Sequence, residues 1–371
     1  MSKNFSRRCP PGWAHAHLWL LWSGMAFGNT AEMLSAGVSH LRYQYTSAET
    51  DEYFDASGGR RSLGAVYDET LKEHGLSTEE PSVYRVDTDG RFTQIRHDLY
   101  FEYGITASLN FGLWTHYLDR QLEYSASLDR EAGWSALPEP LQVGIEGVVA
   151  VADNAADGSA SAWGDTVIGL KHRLIGEDND DPFRFAYTLG VRLPTGHVAD
   201  PLQPRDISVG DGQTDLGIWF AWDWEPGERW LFNLHTRHEY QFKGKEDEAD
   251  PTGTRKLSRE FQPGLYHYVE LLAFRRIPRP GFNGFVALKA IYETQAVRRE
   301  QQYDAATEQY RGALLAVDHT DSMLLRLEPE IGFNLYPSGI PVSVRLYYGL
   351  PLRGRNSLAA EYVGLRFDLF W

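Results

Sequence analysis

Cysteine is nearly missing from this 371-residue sequence: the single one, Cys9, precedes the longest apolar run. The rest of the chain can form no disulfide, and Cys9 is misplaced for a lipid-anchoring cysteine, which would sit at a cleavage site. Such usage is ordinary for a bacterial envelope protein that closes its own core and unusual for an animal secreted protein. Long apolar runs are missing too. The longest, Ala14 to Phe27, spans about 14 residues against the roughly 20 that a bilayer-crossing helix needs, which excludes a helical membrane protein. Basic charge is in deficit, with 36 Lys and Arg against 51 Asp and Glu and a formal net charge of -15. That balance argues against nucleic-acid binding, which wants a basic stripe. Neither a Gly-x-Ser-x-Gly elbow nor an Asp/Asn/Gly calcium loop occurs.

What is present describes a folded chain. Aromatic residues make up 13%, with 35 glycines and 18 prolines, so disorder and collagen-like repetition are both excluded. Lys3, Arg7 and Arg8 precede the apolar stretch, which ends in Ala26-Phe27-Gly28. These are the charged, apolar and small-residue parts of an export signal, so residues 1–28 are expected to be a signal peptide. Cleavage is expected after Gly28, with Ala31 as the alternative. His15 and His17 leave with it, and residues 29–371 form one domain.

From Met33 onward, twelve segments of about ten residues alternate between apolar and polar positions, the period of strands with two different faces. In one, Phe183, Phe185, Tyr187, Leu189, Val191 and Leu193 oppose Arg184, Thr188 and Arg192. Connections alternate as well. Short ones fall at Gly104, Gly176 to Asp181, Glu225 to Glu228, Ile277 to Gly281 and Pro337 to Gly339. Longer ones run over Ala48 to Gly90, Ser125 to Ser161, Thr195 to Asp211, Gly244 to Lys256 and Val297 to His319, with a shorter one at Arg353 to Ser357. The pattern predicts an all-β fold, a transmembrane antiparallel β-barrel of about 12 strands with short periplasmic turns and long extracellular loops.

A soluble β-sandwich also alternates, so the choice rests on what the apolar face meets. Tyr103, Phe183, Phe185, Trp222, Trp224, Trp230, Phe232, Phe282, Tyr336 and Trp371 fall at the short-turn ends. Tyr43, Tyr45, Tyr117, Tyr240, Phe242 and Tyr292 fall near the long loops. Two aromatic girdles suit two membrane interfaces. On the other face, Arg184, Arg192, Arg237, Glu239, Lys289, Glu293, Arg326, Glu328, Glu330, Arg345, Arg366 and Asp368 are expected to line the pore, because a dry core would not tolerate them. They require a wet lumen or mutual pairing.

The first long loop is strongly acidic, with Glu49, Asp51, Glu52, Asp55, Asp68, Glu69, Glu73, Glu79, Glu80, Asp87 and Asp89 against few bases. It reads as a solvated, self-repelling rim, with divalent-cation binding as the alternative. Val148 to Ala152 is an apolar run in the second long loop, and it either folds inward to narrow the pore or extends the neighbouring strands. His116, His172, His235, His238 and His267 are scattered over different strands as lumen or interface residues. No Ser, His and Asn cluster of the outer-membrane phospholipase type is visible, so no enzyme, cofactor or metal site is expected.

Val363, Leu365, Phe367, Leu369 and Trp371 alternate up to a terminal aromatic. This resembles the assembly signal of bacterial outer-membrane proteins, and the resemblance implies that the barrel-assembly machinery reads Phe367, Leu369 and Trp371. Trp163-Gly164-Asp165, Gly169 to Leu174, Leu193-Pro194-Thr195-Gly196 and Gly210-Asp211-Gly212-Gln213-Thr214-Asp215-Leu216-Gly217 follow on consecutive strands. Together they resemble the family named for the meta-pathway of phenol degradation, whose members are outer-membrane channels. The resemblance implies passive uptake of small, often apolar or aromatic molecules and no catalytic residues. The expected partners of this monomer are outer-membrane lipid, lipopolysaccharide and a small solute. A structural or surface-interaction barrel plugged by salt bridges is the rival reading.

Overall fold

In the computed structural model the described residues are 29–65, 79–80, 83–155, 157–177, 180–203, 205–250, 254–279, 282–335 and 340–371. Residues 1–28, which the sequence reads as an export signal, Asp68, Glu69, Glu73, Tyr336 and the turn at Pro337 to Gly339 lie outside them. Twelve strands build the wall: β1 (Ser39–Thr50), β2 (Tyr84–Gly104), β3 (Leu109–Arg130), β4 (Thr166–Ile175), β5 (Phe183–Leu193), β6 (Asp215–Trp224), β7 (Trp230–Gln241), β8 (Leu265–Arg279), β9 (Phe282–Gln295), β10 (Ser322–Leu335), β11 (Val342–Arg355) and β12 (Glu361–Phe370). Each pairs antiparallel with its neighbours in the chain, and β12 returns to β1 from His40 opposite Phe370 to Glu49 opposite Glu361. This closure satisfies every edge, which is what lets a sheet face lipid all round.

Polarity is inverted relative to a soluble protein. Leu271 and Ile331 are 55% and 57% exposed, whereas Asp223 and Arg184 are 0% and 1% exposed. The apolar face has no second sheet against it, so the sandwich alternative falls and the wall is a transmembrane barrel. Both girdles are in place. Near the short turns, Phe185 stacks on Trp222 at 5.0 Å and Trp230 on Phe232 at 5.8 Å. Near the long loops, Tyr117 meets Trp163 at 5.6 Å and Tyr240 meets Phe242 at 5.0 Å.

Glycines in the strands make room for inward rings. A Cβ at Gly190 would lie 1.8 Å from the Trp219 indole, and one at Gly364 would lie 2.0 Å from the Tyr347 ring. The rings lie flat on bare backbone of the neighbouring strand, a cross-strand device that also bends the wall.

Three expectations need correction. The first strand begins at Ser39, not Met33: residues 29–38 enter the barrel from the short-turn end, and Gly37, at φ +85°, donates its N–H to the Gly104 carbonyl. Adjacent Met33 and Leu34 break the alternation, and this small, polar segment complements the lumen instead. Second, the apolar run in the second long loop is helical. The hairpin of β2 and β3 does extend upward, with Tyr84 opposite Arg130, and α1 (Glu139–Ala155) covers the lumen-side face of that extension. Ile145 and Val149, four residues apart and thus on one helix face, pack with Tyr84, Val86 and Trp134. Two further loops also order into strands. Gly244–Ala249, Lys256–Gln262, Arg299–Asp304 and Gln309–Ala316 form a four-stranded sheet above the barrel, where Arg259 pairs with Glu246, Glu248 and Glu300.

Third, the described part of the acidic loop does not repel itself outward. Glu49, Glu52, Asp55 and Asp87 pair with Arg91, Arg60, Arg61 and Arg85. Tyr53, Phe54 and Leu63 are buried over the barrel mouth, through pairing of Glu52–Phe54 with Arg60–Ser62 and of Tyr53–Phe54 with Ser357–Leu358. Among the described residues no cluster suited to a metal ion occurs. Asp55 pins the turn by accepting from the Ser57 hydroxyl and N–H and from the Gly59 N–H. The Ser57 hydroxyl, together with those amides and Arg61, holds the Asp55 carboxyl down to about 2. A depressed acid stabilises the fold above its ordinary range and loses that contribution as pH falls through its folded value. Amide exchange of residues 52–62 is therefore expected to stay slow down to about pH 3 and to quicken near pH 2, and in Asp55→Ala it is expected to be fast already at neutral pH.

Candidate functional site

The candidate site is the lumen, and register decides which charges meet there. Lys289 stands opposite Glu328, with Glu330 two residues on along the same face, so one ammonium serves two carboxylates; its Nζ lies 2.6 Å from Glu328. Arg345 stands opposite Arg366, a clash relieved by Asp368, which Arg366 and Arg42 each reach at 2.8 Å and His40 at 2.9 Å. Arg345 itself is 3.6 Å from Glu330 and 3.8 Å from Asp368, and it joins the two groups. On the wall beside them Arg326 grips both oxygens of Glu293 at 2.9 and 3.1 Å. Across the lumen Glu239 takes Arg237 at 2.6 Å and Arg192 at 2.7 Å, and Arg192 also meets Asp215 at 3.3 Å. Arg184 binds Asp223 and Glu225 at the short-turn end. All twelve residues singled out for the lumen thus point inward, and they fall into these groups rather than into one ring.

The short-turn end is filled by the segment before β1. Asn29 donates its amide to both Glu270 oxygens at 2.9 and 3.0 Å, the Ala31 N–H donates to Asp223 at 2.9 Å, and Lys171 donates to the Glu32 carbonyl at 2.6 Å. Ala31 has no exposed surface and packs on Ala186 and Ala221.

Sequence reasoning missed the inward aromatics. Tyr100, Trp114 and Trp219 cluster with Val167 inside the barrel, and Tyr266, Tyr268, Tyr347 and Tyr362 also face inward. Their parity was the available signal, since Tyr347 shares a face with Arg345, and Trp219 with Asp215 and Asp223. Also missed was the pairing of His238 with His267, opposite each other on β7 and β8 with ring nitrogens 2.8 Å apart on the outer wall.

The glycine motifs converge at the long-loop end. Asp165 accepts from the Gly196 N–H at 2.8 Å and the Asp211 N–H at 3.0 Å, and so clasps two loops together. Gly196 and Gly210 approach so closely that a Cβ on either would sit 2.7 Å from the other's Cα, and one on Gly164 would enter the His116 ring. Burial, with the Asp215 and Asp165 carboxylates close by, pushes the Asp211 carboxyl well above the usual range.

Between these ends lies a cavity of about 40 Å³, lined by Tyr268, Tyr347, Tyr362 and Ile291 with Gln44, Gln94, Arg96, Asp98, Glu270, Arg326 and Glu328. Benzene needs a cavity nearer ~150 Å³, so this conformation is closed to an aromatic solute.

Among solved structures, this chain is similar to the COG4313 outer membrane channel from Pseudomonas putida F1, at 14% identity and TM-score 0.57 over 94% of this chain and 100% of that one. The P. putida toluene transporter TodX aligns at 10% identity and TM-score 0.32, over 93% of this chain and 94% of that one. No curated protein matches. The first likeness places the fold among outer-membrane barrels. The sequence pattern of one family spans residues 82–367, from the top of β2 into the last strand and through the whole clasp. The chain therefore belongs to the family described as the MetA-pathway of phenol degradation.

Proposed function

We propose that this outer-membrane barrel is a gated channel for passive uptake of small, apolar or aromatic molecules. The observation that carries the reading is the cavity, where tyrosine faces and Ile291 stand beside the ion-paired Arg96, Arg326 and Glu328 and a Glu270 held by Asn29 and Tyr268. Such a wall offers stacking surface without an uncompensated field across it. The name of the first similar structure, an outer membrane channel, supports the channel reading, and the family, described as the MetA-pathway of phenol degradation, supports the solute class. No catalytic role is assigned to any residue.

The test is conductance and solute flux through the folded protein in planar bilayers and liposomes. Arg345 is the most accessible of the twelve, its side chain 22% exposed. Arg345→Gln is expected to move the reversal potential in a salt gradient toward cation selectivity, and Glu330→Gln toward anion selectivity. The rival, a structural barrel plugged by its ion pairs, is favoured by the smallness of the cavity. It would show no conductance in any variant and only lowered stability.

Cleavage after Gly28 rather than Ala31 belongs to the same reading, because it leaves Asn29 and Ala31 in place to fill the lumen. Intact-mass analysis of the exported protein is expected to show a chain beginning Asn29-Thr30-Ala31. We also assign Phe367, Leu369 and Trp371 the role of an assembly signal and take the barrel to act as a monomer. The three side chains face outward along β12, open to the assembly machinery and, after insertion, to lipid.

A further inference from the structure

The upper lumen holds a cation that the ionic network leaves uncompensated. Arg120, on β3, is 3% exposed. Its Nε donates to the Gln94 amide oxygen at 2.7 Å and its Nη1 to the Ser208 carbonyl at 3.2 Å, while its Nη2 is buried with no acceptor. No carboxylate pairs with it among the described residues, and the charge that acts on it is another cation, Arg96. Arg96 is itself held by both oxygens of Asp98. Arg192 is the third guanidinium of this corner, and all three act on the buried His116 ring. Arg192 has Glu239 and Asp215 as partners, so among the three guanidiniums Arg120 alone lacks a carboxylate among the described residues. A buried, unpaired charge is destabilising, so the fold tolerates a defect here that a bound anion would remove.

Gln94 and Arg96 also line the internal cavity, together with Tyr268, Tyr347, Tyr362 and Ile291. We propose that Gln94 and Arg96, at one end of this tyrosine-lined cavity, together with Arg120, which donates to Gln94, form a subsite for the carboxylate head of a small amphiphilic acid. The inference rests on the channel reading and narrows its solute from neutral hydrocarbons to organic carboxylates. A guanidinium fork presents paired donors that match a carboxylate, and the Gln94 amide can turn its nitrogen to the incoming oxygens as its own oxygen gives way. The ring or chain of the acid lies along Tyr347 and Tyr362. Asn29 binds Glu270 at the wall of the same cavity, so withdrawal of residues 29–38 supplies the room that the tail requires.

The test uses the full mature barrel folded in detergent, with benzoate as probe and benzamide as its uncharged counterpart, by calorimetric titration. Benzoate is expected to bind saturably and about tenfold or more tightly than benzamide, with Arg120→Gln erasing that difference and Arg120→Lys keeping part of it. Without ligand, Arg120→Gln is expected to melt at a higher temperature than the wild type, and benzoate is expected to stabilise the wild type but not Arg120→Gln. Equal binding of benzoate and benzamide, unchanged benzoate affinity in Arg120→Gln, or chloride binding as tightly as benzoate would each overturn the subsite. The wild-type comparison of the two probes stands even if a variant misfolds. Bilayer conductance separates the two claims: a non-conducting barrel that binds benzoate through Arg120 sinks the channel reading alone, and a conducting one without such binding sinks the subsite alone.

Discussion

Deleting residues 29–36, with residues 1–28 retained, is expected to raise single-channel conductance by roughly tenfold, because a cross-section filled with protein becomes water. The contacts that would be lost are specific. Asn29 holds Glu270, the Ala31 N–H holds Asp223, and Ala31 fills the gap between Ala186 and Ala221. The deleted residues are not part of the wall, whose strands begin at Ser39, so the barrel should assemble and remain heat-modifiable on gels. A reversible form of the experiment uses the lack of cysteine after Cys9. Ala31→Cys combined with Ala221→Cys is expected to conduct poorly when oxidised and to recover on reduction. If the deletion conducts no better than the full chain, the constriction lies elsewhere, with the clasp around Asp165 as the next place to look.

Replacing Lys289 by methionine is expected to destabilise the barrel by about 3–5 kcal/mol, since it removes the shared partner of two buried carboxylates. Glu328 and Glu330 are 3% and 5% exposed, and both lean on the one ammonium. Among the described residues, Glu330 would retain Arg345, 3.6 Å away, as its ion-pair partner, and Glu328 the Tyr362 hydroxyl. Equilibrium unfolding in detergent micelles measures the loss. Adding Glu328→Gln and Glu330→Gln to Lys289→Met is expected to restore much of it, because the harm comes from stranded charge rather than from a missing contact. A triple variant no more stable than Lys289→Met would point to packing instead.

Much of the wall was legible because a barrel strand must serve two solvents. Phe183 to Leu193 alternates strictly, and the structure turns Arg184 inward and Phe183 outward as that alternation requires. The loops were less legible. Val148 to Ala152 reads as a bare apolar run, and only the placing of Ile145 and Val149 against Trp134 shows why it is helical. In the lumen, residue type was visible but partnership was not. Glu328 and Glu330 announce an inward polar face, yet nothing in their spacing indicates Lys289, 39 and 41 positions away, as their common counter-ion. Tyr347 and Trp219 passed as ordinary aromatics until parity was read together with the glycines across from them, Gly364 and Gly190.

The sequence by itself therefore determined the two-faced strands, their number, the alternation of short and long connections and the inward direction of the charges, because each is a local consequence of period two along one strand. The tertiary structure alone decided which charges pair, where the glycine motifs converge, and that residues 29–38 fill the short-turn end. These depend on the register between strands and on the closure of β12 on β1, which bring together residues as far apart as Arg42 and Asp368. A side chain's face is set by its immediate neighbours in the chain, whereas its partner is set by the circumference of the barrel.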